Sequence, residues 1–223
     1  MGGKAIVGRN DVLEIVHNAF VKEEWKMIAL YGIGGLGKTR IAVEYIYAHR
    51  DVYNIIFWVN ADTVKSIKAA FMNMAQQVID WKCKDPTTNT RREVSKVCSE
   101  LGLVHCVNLE QGQGTSNAEK VIGDIIGWLS REESGNWLLV FDNADDLDSV
   151  YLPEFFPASR IGRIIITSRT KECRNIVDQY YGTAYQVDKL SKKHALDLLT
   201  RKVGKEAGKS GSMFSGVNAP PRA

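Results

Sequence analysis

The eight residues Gly32 to Thr39, GIGGLGKT, bring four glycines, a lysine and a hydroxyl into one short stretch. Their order fits G-x-x-x-x-G-K-[ST], and the chemistry follows from the residue types. An oligophosphate needs several main-chain N–H donors converging on it, and glycine lets the backbone come that close. Gly32, Gly34, Gly35 and Gly37 supply that approach, and Leu36 completes the loop. Lys38 sets an ammonium against the β and γ phosphates, which makes it a binding and a catalytic candidate together. Thr39 offers its hydroxyl to a magnesium ion at a helix N-terminus whose dipole also favours anions, and Arg40 follows in the first turn.

A second constellation stands at Trp137 to Asp146, WLLVFDNADD, an apolar run that ends in acids. Asp142 is placed to hold magnesium beside the phosphate loop, so Thr39 and Asp142 are the metal candidates. The next residue is Asn143, whose amide is no strong general base. Asp145 and Asp146 are the remaining candidates for that work, and either can instead cap a turn or lie in solvent. Slow hydrolysis is the expectation. A third run, Arg163 to Thr167, leads into Ser168 and Arg169. The planar fork of Arg169 suits bidentate contact with a γ phosphate, and the carboxyl edge of a sheet is where ligands of α/β folds gather.

The elements that position these residues are legible as short apolar runs separated by helical periodicity. Met27 to Gly32, Ile55 to Val59, Trp137 to Asp142, Arg163 to Ser168 and Ala184 to Val187 read as strands. Most are uniformly apolar, the mark of strands covered on both faces, and the gaps between them are long enough for helices. The fold class is therefore α/β, with a mainly parallel five-stranded sheet and helices on both faces. Helices are expected over Asp11 to Trp25, Lys38 to His49, Val64 to Val78, Ala118 to Ser130 and Lys192 to Arg201, with Asp62 and Ser191 as N-caps. Lys82 to Thr115 is polar, with only a weak helical pattern around Arg92 to Leu103, and reads as the least ordered internal region. The organisation is an N-terminal lead and helix over 1–25, a nucleotide-binding domain over 26–202, and a tail over 203–223 too rich in Gly, Ser, Lys and Pro to bury a core.

Composition excludes several function classes. With 223 residues, 29 basic and 26 acidic side chains, the net charge of +3 is too small and too evenly spread for a nucleic-acid footprint. Phosphate binding must come from a local site. Cys83, Cys98, Cys106 and Cys173 show no CxxC spacing and no histidine stands beside them in a metal-ligand pattern, against a zinc site or a disulfide framework. No run approaches the roughly 18 apolar residues of a membrane helix, and the N-terminus lacks a signal segment, which points to the cytoplasm.

GIGGLGKT, FWVNAD at Phe57 to Asp62, LLVFDNADD at Leu138 to Asp146 and IIITSR at Ile164 to Arg169, in this order, resemble the NB-ARC subgroup of the STAND P-loop NTPases. The wording of FWVNAD and DNADD looks most like the nucleotide-binding domain of fungal NOD-like receptors, which often carry repeats downstream. The resemblance covers Ala5 to Leu199. It implies that Val7, Gly8 and Arg9 lie near the adenine, that Arg169 is a sensor of the γ phosphate, and that Ala195, Leu198 and Leu199 form a packing face. It also implies ATP and ADP as ligands with magnesium, and signalling of the innate-immunity or heterokaryon-incompatibility kind. In that signalling, ATP binding exposes surfaces for self-association or partner domains. The family's GLPLA segment and winged-helix histidine are not found, so the chain looks like an isolated nucleotide domain.

Three other readings compete with a switch. A dedicated P-loop ATPase would need the strong base that Asn143 does not provide, leaving weak hydrolysis at most. A GTPase would need an [NT]-K-x-D motif, and Thr167 to Lys171 continues instead with Glu172 and Cys173. The third is a truncated, non-functional fragment of the same domain.

Overall fold

The computed structural model describes residues 7–22, 24–83, 91–106 and 115–200. Its strands fall where the apolar runs lie: β1 (Met27–Tyr31), β2 (Ile55–Asn60), β3 (Trp137–Asp142), β4 (Arg163–Ser168) and β5 (Gly182–Gln186). The last begins two residues before its apolar run and ends at Gln186. All neighbours pair in parallel, in the order β2-β3-β4-β1-β5. Every residue of the central strands β1 and β3 is buried, whereas the edge strand β2 alternates toward exposure at Trp58 and Asn60. This is how a sheet covered on both faces reads in sequence.

The two-residue side-chain period of the strands divides the core in two. Trp137, Leu139 and Phe141 of β3, with Ile164 and Ile166 of β4, pack on one face against α3 (Val64–Lys82) and α5 (Thr115–Leu129). The same layer takes in α4 (Arg91–Leu101) and α6 (Cys173–Gln179) through Cys98, Cys173 and Val177. Leu138, Val140 and Ile165 face the other way, against α1 (Asn10–Val21) and α2 (Lys38–His49), with Val16, Phe20, Ile41 and Tyr45 filling that layer. Each fully buried aromatic or aliphatic side chain contributes about 1.5–3 kcal/mol.

Several boundaries differ from the sequence expectation for local reasons. Helix α1 stops at Val21 rather than Trp25, because Glu24 adopts a left-handed φ of 56° and the Trp25 N–H returns to the Ala19 carbonyl at 2.9 Å. Thr63, not Asp62, caps α3: its hydroxyl accepts the Ser66 N–H at 3.1 Å, while Asp62 stands one residue too early. Helix α3 then runs one turn past Val78 and buries Ile79. Residues 91–101 of the polar stretch form a regular helix, and the short α6 was not anticipated at all. Residues 192–200 are helical, with Ser191 accepting the His194 N–H at 3.2 Å as expected. The expected packing face on that helix is not formed among the described residues, since Leu198 and Leu199 are exposed. The rest of the polar stretch, 84–90 and 107–114, and the tail over 203–223 lie outside the described residues.

The topology creates one crevice. From β1 the chain departs through α2 on one face; from the adjacent β4 it departs through α6 on the other. Adjacent parallel strands whose connections leave on opposite faces open a cleft at their carboxyl ends, where ligands of such folds bind.

Candidate functional site

The phosphate loop spans that cleft. It leaves β1 at Gly32 and enters α2 at Lys38, with Gly37 at the N-cap in the left-handed region at φ 86°. A side chain at Gly37 would strain this turn, which sets the first N–H groups of α2 toward the cleft. The Lys38 ammonium donates to the Gly32 carbonyl at 2.7 Å and the Ile33 carbonyl at 3.0 Å. Desolvation by burial pulls its pKa below the ordinary 10.5, and the nearby Arg169 pulls the same way. The carboxylates of Asp145 and Asp142 push back. Lys38 is thus a partly desolvated cation, the kind that gains most from an incoming anion.

Thr39 and Asp142 meet as the sequence expects: the Thr39 hydroxyl donates to Asp142 Oδ1 at 2.8 Å. A residue that sequence reasoning missed completes the group. Thr167, in β4 and 1% exposed, donates to the same Asp142 oxygen at 2.5 Å and accepts the Asn143 N–H at 3.1 Å. The signal was available as a hydroxyl at the carboxyl end of an otherwise apolar strand, but its partner becomes visible only when β3 and β4 are known to be neighbours. A hydroxyl and a carboxylate beside the loop form a hard-oxygen donor set that fits magnesium, which uses one or two protein ligands with phosphates and water.

Beyond Asp142 the chain turns sharply. Asn143 has a left-handed φ of 62°, a conformation asparagine tolerates, and its side-chain amide faces Asn60 Oδ1 of β2 at 3.4 Å. The turn carries Asp145 to the end of β4. There its Oδ1 accepts the Arg169 N–H at 2.6 Å and its Oδ2 faces Arg169 Nε at 3.0 Å. Asp146 points elsewhere and accepts the Ser149 N–H at 3.1 Å; the hydrogen bonds from Ser149 hold its carboxyl below the usual range. Arg169 reaches the loop: a methyl placed on Gly34 would sit 3.8 Å from its Nε.

On the far side of the loop, Arg9 donates from Nη2 to the Leu36 carbonyl at 2.8 Å and is itself buried. Gly8, at φ 68°, passes so close to His194 that a Cβ would lie 2.5 Å from the ring, so Val7 to Arg9 is threaded between the loop and the 192–200 helix. Arg40 pairs with the buried Glu44, four residues further along α2. An open cavity of about 700 Å3 adjoins the loop, with Gly32, Leu36, Arg169, Arg174, Val187 and Lys189 in its wall. The four cysteines are buried and form no disulfide, and among the described residues no group of three or more His, Cys, Asp or Glu is placed to hold a metal.

A parallel α/β sheet with a glycine-rich lysine loop at the β1–β4 cleft and an acid closing β3 defines a P-loop NTPase domain. More specifically, the chain belongs to the NB-ARC domain family, whose family model matches residues 9–209. It is 30% identical over 183 residues to a "Nucleotide-binding leucine-rich repeat (NLR)-like protein" of Hyaloscypha variabilis. That alignment takes in 73% of this chain but spans only 15% of the relative's length. Among solved structures, "Structure of C. elegans PCH-2" aligns with 89% of this chain and 48% of its own at 13% identity and a TM-score of 0.45. A "DNA replication initiation factor" aligns with 89% of this chain and 51% of its own at 14% identity and a TM-score of 0.44. Among the described residues no helix is long and apolar enough to cross a membrane.

Proposed function

We propose that this domain is a cytoplasmic adenine-nucleotide switch that holds ADP or ATP with magnesium and hydrolyses ATP slowly. The observation that carries the reading is the pairing at the cleft. Lys38 lies near Asp142, which the Thr39 hydroxyl meets, a set suited to phosphate and metal, and the position after Asp142 is an asparagine whose amide turns to Asn60. Magnesium, held by Thr39 and Asp142, would neutralise phosphate charge. The chain's own groups do the rest. The loop amides and Lys38 grip the β phosphate, Thr167 fixes the Asp142 carboxylate, and Arg169 contacts the group that only ATP has. Neither Asp145 nor Asp146 stands ready to take a proton from water, because the Asp145 oxygens are engaged with Arg169 and Asp146 caps a local turn.

A bound γ phosphate then acts as a ligand with differential affinity for one conformation of the cleft, which is what a switch requires. Adenine is favoured over guanine because the chain has no guanine-reading [NT]-K-x-D motif, and Val7 to Arg9 lies beside the loop where the family resemblance puts the base. Steady-state ATP turnover is the test. A rate below about one per minute is expected, against a typical enzyme median of about 10 per second. Turnover of several per second would make this an ordinary ATPase.

A further inference from the structure

Beside the phosphate loop, both carboxylate oxygens of Asp145 serve a single arginine. Oδ1 takes the Arg169 main-chain N–H at 2.6 Å and Oδ2 faces Nε at 3.0 Å. This arrangement fixes the root of the side chain and one edge of the guanidinium. Among the described residues no hydrogen bond engages either Nη atom, so the outer fork that suits bidentate phosphate contact stays available. Arg169 has 68% of its side chain exposed and, without this tether, would sample many rotamers before meeting a ligand. Asp145 is itself held in place. The left-handed turn at Asn143 is pinned by Thr167, whose hydroxyl and carbonyl take the Asn143 and Ala144 N–H groups at 3.1 and 2.9 Å. The Asp145 N–H closes the turn on the Asn143 carbonyl at 2.9 Å.

We propose that Asp145 is a positioning residue that presets Arg169 for the γ phosphate and thereby sets the preference of the site for ATP over ADP. The inference rests on the nucleotide-switch reading and assigns one of its acids a role other than general base. The physical basis is preorganisation: a side chain already held in its binding pose loses less freedom when the ligand arrives. On this reading Arg169 meets the γ phosphate alone, so Asp145 affects ADP affinity little.

The test uses the full chain and calorimetric titration with ADP and with a non-hydrolysable ATP analogue, each with magnesium. Asp145→Asn keeps an acceptor for the Arg169 N–H but presents an amide to Nε, so it removes the tether with little change in the turn. A loss of about three- to five-fold in analogue affinity is expected, in line with an ion pair of this exposure, with ADP affinity unchanged. The same substitution in an Arg169→Ala background should change neither affinity, since a residue acting through another has no effect once that partner is gone. If Asp145→Asn lowers the melting temperature, Asp145→Ser carries the same comparison. Equal loss for both nucleotides, or a loss that persists without Arg169, would overturn the proposal. So would unchanged affinities with abolished hydrolysis, which would make Asp145 the base. Wild-type protein that binds neither nucleotide would remove the switch reading itself, an outcome distinct from all of these.

Discussion

At the scale of residues, the site is governed by one partly buried cation and one shared carboxylate. Burial lowers the Lys38 pKa in the domain alone, so at neutral pH the charged lysine opposes folding, and that opposition fades as pH rises through the lowered value. Phosphates favour the ammonium form and raise the pKa again. Nucleotide binding should therefore take up protons at alkaline pH, with affinity falling as pH climbs through the value of the free domain. Calorimetry in buffers of different ionisation enthalpy reads this directly, and buffer-independent heats at alkaline pH would count against it. Thr167 makes a second case. Thr167→Val deprives Asp142 of a donor and the Asn143 N–H of its acceptor, and should destabilise the domain by about 1–3 kcal/mol in a denaturant melt. A neutral melt would show that the hydroxyl is dispensable. Lys38, Thr39 and Asp142 were legible because each belongs to a local pattern, whereas Thr167 and the Asp145–Arg169 pair depend on strand adjacency that no short window of sequence contains.

At the scale of elements, the strands were legible because central parallel strands are apolar along their whole length, as MIALY and WLLVFD are. Helix α6 was not. Its sequence CRNIVDQ buries only Cys173 and Val177, a single i,i+4 pair, so there was too little periodicity to see. The end of α1 depended on the backbone of Glu24, a residue with no composition signal for a left-handed turn. Packing between elements also places demands that sequence hides. Gly162, just before β4, lies so close to the Trp137 indole that a Cβ would sit 2.0 Å from it, and the Trp137 Nε1–H is fixed to the Leu129 carbonyl at 2.8 Å. The indole therefore has no room to yield. Gly162→Ala should destabilise by at least the 1–3 kcal/mol usual for overpacking, with a matching drop in melting temperature. A wild-type melt would contradict the packing described for this end of the sheet.

At the scale of the whole molecule, a net charge of +3 and a sheet closed on both faces leave the carboxyl-edge cleft as the place where chemistry gathers. Leu196, Leu198 and Leu199 stand exposed on the last described helix, and the chain spans 15% of the NLR-like relative's length. On the function proposed above, nucleotide binding resides in this domain itself. The most direct test of that claim is the identity of the nucleotide carried through purification, read by chromatography of the denatured protein. Adenine nucleotide, chiefly ADP, is expected with wild-type protein and should be largely lost with Lys38→Ala. Guanine nucleotide, or no nucleotide together with no calorimetric binding of ADP, would contradict the account.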